Sequence, residues 1–193
     1  MSPLRFAFNP LNVGQKRRQM KKLIIIAIIV VIGGISALSI NARRLEKPLP
    51  ANATADKVLI EKSKRSLTLL NKNTPLKTYE VSLGKEPEGK KTEEGDGRTP
   101  EGIYSIDRRK LKSSYHRALH VSYPNSEDTA QAKARGVSPG GDIMIHGLPN
   151  GIGLIGKLHT KRDWTLGCIA VTNPEIEEIW RVVPDGTTVE IVH

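Results

Sequence analysis

Cys168 is the only cysteine in the chain, and its sequence surroundings suit a nucleophile. A thiol reacts once it is ionised, and a nearby imidazole can accept its proton and hold the thiolate. His146 follows the apolar run Ile143-Met144-Ile145, so it should lie at a strand end, where functional side chains are common. Gly167 permits a tight turn in which its own N–H and that of Cys168 face a substrate carbonyl. The pattern therefore indicates cysteine catalysis on a carbonyl compound.

A buried and inert cysteine is the competing interpretation, because single cysteines commonly pack as small apolar side chains. A single histidine is also more often structural than catalytic, and sequence spacing does not show whether Cys168 and His146 meet in space. His159 is a rival base in the glycine-rich segment 150–162. We rank it below His146, which follows an apolar strand that would fix its position.

The cysteine and the histidine lie in a longer motif. The motif begins at Ile145-His146-Gly147 and continues, after a spacer, through Asp163-Trp164-Thr165-Leu166-Gly167-Cys168. It resembles the active-site signature of the YkuD-type L,D-transpeptidases, which is a His, a spacer, Ser or Thr, usually a second His, then Gly and Cys. The resemblance extends from about Asp56 to Val192.

Two positions depart from the usual signature of that family. Leu166 stands where most members have a second histidine, and Ala170 stands where many have Asn or Arg. The spacer between the histidine and the Thr165 position is also a few residues longer than is usual in that family. The sequence therefore resembles a variant branch in which nucleophile and base are intact and substrate preference differs.

The resemblance implies a fold and a role for each motif residue. The fold would be mainly β, an L,D-transpeptidase-like β-sandwich with two or three short helices. Cys168 would be the nucleophile and His146 the general acid and base. The Gly147 carbonyl would orient the imidazole, and the Gly167 N–H would be an oxyanion donor. The residues expected to bind substrate are Thr165, Trp164 and His159.

The resemblance also implies a substrate, the peptidoglycan stem peptide, cut after its L-centre diamino acid. The acceptor would be another stem, a lipoprotein lysine or a free D-amino acid. Two alternatives remain: a hydrolase on the same site, either an L,D-carboxypeptidase or an amidase that releases peptidoglycan-linked protein, and a non-catalytic wall-binding module. No cofactor is expected, and one cysteine with scattered histidines does not form a zinc pattern.

The formal charge of +10 raises the question of nucleic-acid binding. Residues 1–44 carry eight Lys or Arg and no acidic residue, whereas the rest of the chain carries 22 Lys or Arg against 20 Asp or Glu. The basic excess is therefore typical of membrane targeting rather than of a basic binding face. Aromatic residues make up only 4% of the chain, which leaves few platforms for stacked bases. Both observations disfavour nucleic acid as a partner.

The N-terminal pattern predicts a membrane protein with an exported domain. Residues 1–22 form a basic cytoplasmic tail, and residues 23–40 form an uncharged apolar run long enough to span a bilayer core nearly completely. A cleaved signal peptide is the alternative, with less support because the run is long and lacks a clean cleavage site. Residues 41–55 read as a linker and 56–193 as the catalytic domain. The predicted location is a bacterial cytoplasmic membrane, single-pass, with the domain on the periplasmic side.

Within the domain, alternating and apolar segments predict about seven strands, mostly antiparallel. Asn173 and Pro174 should begin a helix, as cap and first residue. The predicted strands are 57–61, 66–70, 76–84, a strand that opens in 99–104 and runs to about 107, 118–123, 143–145 and 187–192, and the predicted helices are 126–135 and one starting near 174.

Overall fold

The computed structural model describes residues 17–30 and 47–193. Residues 17–30 are helical and form α1. The predicted membrane segment continues through residues 31–40, which lie outside the described residues. Within the described ranges, no helix combines the length and the apolar character needed to cross a membrane.

All of the strands described lie in the compact unit Leu49–His193. The strands are β1 (Lys57–Glu61), β2 (Ser66–Asn71), β3 (Thr74–Glu80), β4 (Gly102–Ser113), β5 (His116–Val121), β6 (Met144–His146), β7 (Ile169–Ala170) and β8 (Thr188–Val192). The helices are α2 (Ser126–Ala134), a 3₁₀ segment (Gly153–Lys161) and α3 (Asn173–Val182).

The strands form one sheet in the order β3-β2-β1-β8-β4-β5-β6-β7. β4 joins its two halves, because Gly102–Ser105 pairs with β8 and the remainder of the strand pairs with β5. We call β1, β2, β3 and β8 the scaffold half, and β5, β6 and β7 the site half. The sheet is mainly antiparallel, as predicted, but β1 pairs with β8 and β6 with β7 in parallel. The sequence predicted a β-sandwich; in the structure, the eight strands belong to one hydrogen-bonded sheet that is continuous through β4.

One hydrophobic core unites both halves. Alternate residues of β1, Val58 and Ile60, and the four central residues of β2, which include Leu67, supply buried side chains. Helix α3 contributes Ile176 and Ile179, which recur at helical spacing and therefore face one side. The site half rests on the same core, so the positions of its short strands depend on packing as well as on hydrogen bonds.

Several predicted boundaries differ from the structure. The strand predicted at 76–84 ends at Glu80, after which Ser82 and Gly84 make only isolated bridges. β4 runs to Ser113, well beyond the predicted end near Asp107, because its second half pairs with β5 across polar residues that show no apolar alternation. The N-terminal cap of α3 is Thr172, so the prediction that Asn173 caps this helix is wrong.

The end of the predicted linker also packs on the domain. Leu49 N–H donates to Glu178 Oε1, at 2.5 Å, and the Arg181 guanidinium donates to the carbonyls of Leu49 and Pro50. Ala55 is fully buried. The compact unit therefore begins several residues before the predicted boundary at Asp56.

Candidate active site

Two very short parallel strands bring the predicted nucleophile and base together. In the β6–β7 pair, Ile145 lies opposite Ile169 and His146 opposite Ala170. Cys168 immediately precedes β7, and both Cys168 and His146 line one cleft of about 690 Å³. Strand register thus places two residues that are 22 positions apart in the sequence in one cleft.

Three parts of the chain line the cleft. Strand β6 and the loop before β7 supply His146 and Cys168, and segment 141–144 adjoins them. The β4–β5 hairpin contributes residues 108–110 and 113–115. Arg109 ties this hairpin to the end of α3 through Asp185 and the carbonyls of Trp180 and Val183. The hairpin is therefore a fixed wall at its base.

His146 is buried, and its ring has a defined orientation. Its Nδ1 lies 2.6 Å from the carbonyl oxygen of Gly147. A carbonyl can only accept, so Nδ1 carries the proton and Nε2 is the free basic atom. Burial lowers the pKa of His146, and the bond to the Gly147 carbonyl partly opposes this. The imidazole is therefore neutral at neutral pH and able to accept a proton.

Cys168 is partly buried, and its sulfur contacts backbone groups. The sulfur lies 3.6 Å from the carbonyl oxygen of Asp142 and accepts a hydrogen bond from the Met144 N–H. Burial raises the pKa of the Cys168 thiol, while the Met144 N–H acts in the opposite direction. The lowered pKa of the His146 imidazole and the raised pKa of the Cys168 thiol both favour the neutral forms of the two groups.

The loop before Cys168 is organised by the Thr165 hydroxyl. This hydroxyl donates to the carbonyl oxygen of Cys168, at 2.7 Å, and accepts from the Gly167 N–H, at 3.1 Å. The sequence predicted the Gly167 N–H as an oxyanion donor; in the structure described, this N–H donates to the Thr165 hydroxyl within the loop. Thr165 is buried and lines the cleft, and its hydroxyl holds the loop, so the oxyanion role of Gly167 and the substrate contact of Thr165 stay predictions.

Glycine is required at position 167 for two reasons. Its φ of +130° lies in the region that side chains disfavour, and an added Cβ would lie 2.6 Å from the Arg98 carbonyl oxygen. The glycine thus lets the loop turn against the 98–99 backbone and deliver Cys168 to the cleft.

Two aromatic rings lie close to the His146 imidazole. Trp164, predicted from its place in the motif, lies with its ring centroid 5.9 Å from that of His146 and lines the cleft. Tyr115 lies closer, at 4.5 Å, and was missed from the sequence. Its only signal was an aromatic residue in a polar turn between two strands. The hairpin therefore places the Tyr115 ring next to His146, and no sequence motif predicts this contact.

His159 does not line the cleft, contrary to the prediction that it contacts substrate. It is buried in the 3₁₀ segment, where Nδ1 lies 3.0 Å from Ser82 Oγ. Ser82 in turn bridges to Ala170, the residue that lies opposite His146 in the β6–β7 pair. Burial and the neighbouring His146 lower the pKa of His159 to about 4, which keeps it neutral.

Asp163 anchors the segment that leads into the loop, another role that the sequence did not reveal. Its carboxylate accepts from the Leu83 N–H at 2.9 Å and pairs with Arg65 at 3.0 Å. These contacts fix the start of the Trp164–Thr165 segment against the scaffold half. Within residues 17–30 and 47–193, no three His, Cys, Asp or Glu side chains gather as a metal site would.

Fold and site together define a protein class. Residues 55–191 match the L,D-transpeptidase catalytic domain family, YkuD. This match covers well over half of the chain, which therefore belongs to that family. The motif residues on which the resemblance was recognised lie inside the matched region.

Three relatives give the match a context. The candidate L,D-transpeptidase YafK of Escherichia coli strain K12 is 34% identical over 97 residues, which are 49% of this chain and 32% of YafK. The helical cell shape determining protein Pgp2 of Campylobacter jejuni is similar in structure, with 29% identity and a TM-score of 0.53 over 72% of this chain and 48% of Pgp2. Bd1075 of Bdellovibrio bacteriovorus shares the fold, with 24% identity and a TM-score of 0.52 over 77% of this chain and 51% of Bd1075. The chain spans about a third of YafK and about half of the two others.

Proposed function

We propose that the chain is a cysteine-dependent L,D-transpeptidase that acts on peptidoglycan stem peptides through a Cys168 acyl-enzyme. The observation that carries this proposal is the placement of Cys168 and a buried, Nδ1-protonated His146 in one cleft of a YkuD-family domain. The likeness to Pgp2, a cell shape determining protein, supports a role in cell-wall remodelling.

In the proposed reaction, His146 Nε2 takes the thiol proton as Cys168 attacks the carbonyl carbon of the diamino-acid residue. His146 then gives this proton to the leaving amine, which departs with the terminal residue and leaves a thioester on Cys168. An acceptor amine attacks the thioester and restores the thiol. Because the Gly167 N–H bonds to Thr165, we assign oxyanion stabilisation to the Cys168 N–H alone.

Hydrolysis at the same site is the second candidate function. Leu166 occupies the position of the family's usual second histidine, and 73% of its surface is exposed beside the cleft. An apolar side chain there supplies no hydrogen bond to an acceptor amine, so water is the competing nucleophile. The products of the reaction separate the two functions.

The proposed location is a single-pass membrane anchor at residues 23–40, with the domain outside the cytoplasm. The basic residues that precede the apolar run support this orientation. Carbonate extraction of membranes and protease accessibility of the domain in spheroplasts test it. Release of the chain by carbonate, or protection of the domain, would contradict the proposal.

The test of activity compares the 193-residue chain with Cys168→Ala and His146→Ala. Each is incubated with disaccharide-tetrapeptide, with and without a D-amino acid, and products are identified by mass spectrometry. We expect the wild-type chain to exchange the terminal residue and each variant to be slower by roughly 10³-fold or more.

Other outcomes assign the site differently. Loss of the terminal D-Ala without exchange would identify a carboxypeptidase, and release of protein from protein-linked peptidoglycan would identify an amidase. No reaction, together with a Cys168 that resists thiol reagents in the folded chain, would indicate a non-catalytic wall-binding module.

A further inference from the structure

We infer that Asn173 is a positioning residue for the catalytic histidine and that it acts through the peptide group between Gly147 and Leu148. The inference rests on the proposed function only in giving His146 a catalytic role. The contacts themselves are present in the structure: the Leu148 N–H donates to Asn173 Oδ1 at 2.8 Å.

The Gly147–Leu148 peptide group forms a hydrogen-bonded bridge between the side chains of His146 and Asn173. Its carbonyl, on Gly147, accepts from His146 Nδ1 at 2.6 Å, and its N–H, on Leu148, donates to Asn173 Oδ1. One planar peptide is therefore bonded at both ends, so the orientation of Asn173 fixes the direction of the carbonyl that orients the imidazole. Hydrogen bonds in such a chain also polarise one another, which makes the carbonyl a stronger acceptor.

The surrounding backbone does not hold this peptide by itself. His146 is held in the sheet, since its carbonyl accepts from the Val171 N–H and the next N–H, that of Gly147, donates to the Arg117 carbonyl. The chain leaves the ladder after Gly147. The peptide that follows receives its two bonds from side chains, those of His146 and Asn173.

The site is shaped around the asparagine. A Cβ on Gly147 would lie 2.8 Å from Asn173 Oδ1, and a Cβ on Gly153 would lie 2.5 Å from Asn173 Nδ2. The carboxamide therefore sits between two glycine backbones that leave no room for side chains. Position 173, the first residue of α3, thus connects the 3₁₀ segment, the His146 turn and the helix start.

The experiment measures alkylation of Cys168 by iodoacetamide, followed by intact mass, as a function of pH in the 193-residue chain. It needs no peptidoglycan, so it succeeds or fails independently of the proposed reaction, and the chain has one cysteine to modify. In Asn173→Ala we expect the rate at pH 7 to fall about tenfold and the profile to move to higher pH, because a weaker carbonyl stabilises the imidazolium less.

Two variants distinguish positioning from folding. Asn173→Asp keeps an oxygen acceptor for the Leu148 N–H and should restore most of the rate. Pro174→Ala alters the next, exposed residue at the same helix start and should alkylate as the wild type does. A wild-type pH profile in Asn173→Ala would overturn the inference, even if that variant melted at a lower temperature.

A measurement on the wild-type chain covers the case in which Asn173→Ala does not fold. Nitrogen-15 NMR of the His146 ring should show the Nδ1-protonated tautomer, with an Nδ1–H signal shifted downfield by its hydrogen bond. An Nε2-protonated ring would overturn the inference, because the chain of bonds from Asn173 requires the Nδ1–H donor.

Discussion

The two halves of the sheet are held together in different ways. In the scaffold half, β1 is paired along its full length on both sides, with β2 and with β8. In the site half, β6 has three residues and β7 has two, so few ladder bonds are available. There, side chains bond to the backbone in place of neighbouring strands, with Thr165 and Asn173 as the main examples.

Because of this difference, we expect the stability of the fold and the reactivity of Cys168 to depend on different parts of the sheet. Regular strands over a buried core give the scaffold half its stability, whereas single hydrogen bonds set the geometry of the site half. Mutations in the scaffold half should therefore change the free energy of unfolding and leave the cysteine chemistry of folded molecules intact. Mutations in the site half should alter both.

The largest effect on stability is expected for Leu67→Ala in β2. Leu67 is fully buried, so its truncation leaves a cavity and should lower the free energy of unfolding by about 3 kcal/mol. Urea denaturation measures this loss, and the alkylation rate of Cys168 in the folded fraction should not change. Leu111→Ala, at an exposed leucine of β4, is the matched control and should stay within about 0.5 kcal/mol. Slower alkylation in Leu67→Ala would show that the halves are coupled.

A pH-dependent effect is expected from His159, which is buried in the 3₁₀ segment. Burial lowers its pKa from 6.5 to about 4, so between these values the unfolded chain binds the proton more readily than the folded chain. Stability contributed by the neutral ring is therefore present above pH 6.5 and is lost as the pH falls towards 4, by up to about 3 kcal/mol. Urea denaturation at several pH values should show a shallower dependence in His159→Gln. Parallel curves for the two proteins would contradict the prediction.

A smaller stability loss, with a clear effect on reactivity, is expected for Thr165→Val. The substitution keeps the shape of the side chain but leaves the Gly167 N–H and the Cys168 carbonyl without their partner, at a cost of about 1–3 kcal/mol. The Cys168 loop should shift and alkylation should slow. Thr165→Ser retains the hydroxyl and should behave as the wild type. Unchanged alkylation in Thr165→Val would mean that this loop is held by packing alone.

The smallest effect is expected at Arg108, on the rim of the cleft. Its ion pair with Asp142 is exposed, 61% and 81% for the two side chains, so Arg108→Ala should change the free energy of unfolding by less than about 0.5 kcal/mol. The neighbouring Arg109 donates to two carbonyls at the end of α3, and Arg109→Ala should cost more, about 1–3 kcal/mol. Equal losses in thermal or urea denaturation would show that the hairpin is not anchored through Arg109.

Local patterns were sufficient for most of the scaffold half. β1 and the antiparallel β2 follow from short apolar runs around a polar turn, and α2 coincides with the predicted helix 126–135 to within one residue. These elements are decided by side-chain periodicity and by hydrogen bonds between near neighbours in sequence. The predictions were less accurate for β4, because its second half is polar and is fixed by pairing with a strand that follows a turn.

By itself, the sequence determined the candidate reactive groups: one thiol, an imidazole after an apolar strand, and a glycine at the turn before the cysteine. The tertiary structure decided which groups act on that pair. Register in a two-residue parallel strand placed Cys168 in the same cleft as His146, a distant hairpin brought Tyr115 against the imidazole, and a helix start turned Asn173 towards the Gly147–Leu148 peptide. These contacts join residues far apart in sequence. Such contacts depend on how strands and helices pack, which local periodicity does not encode.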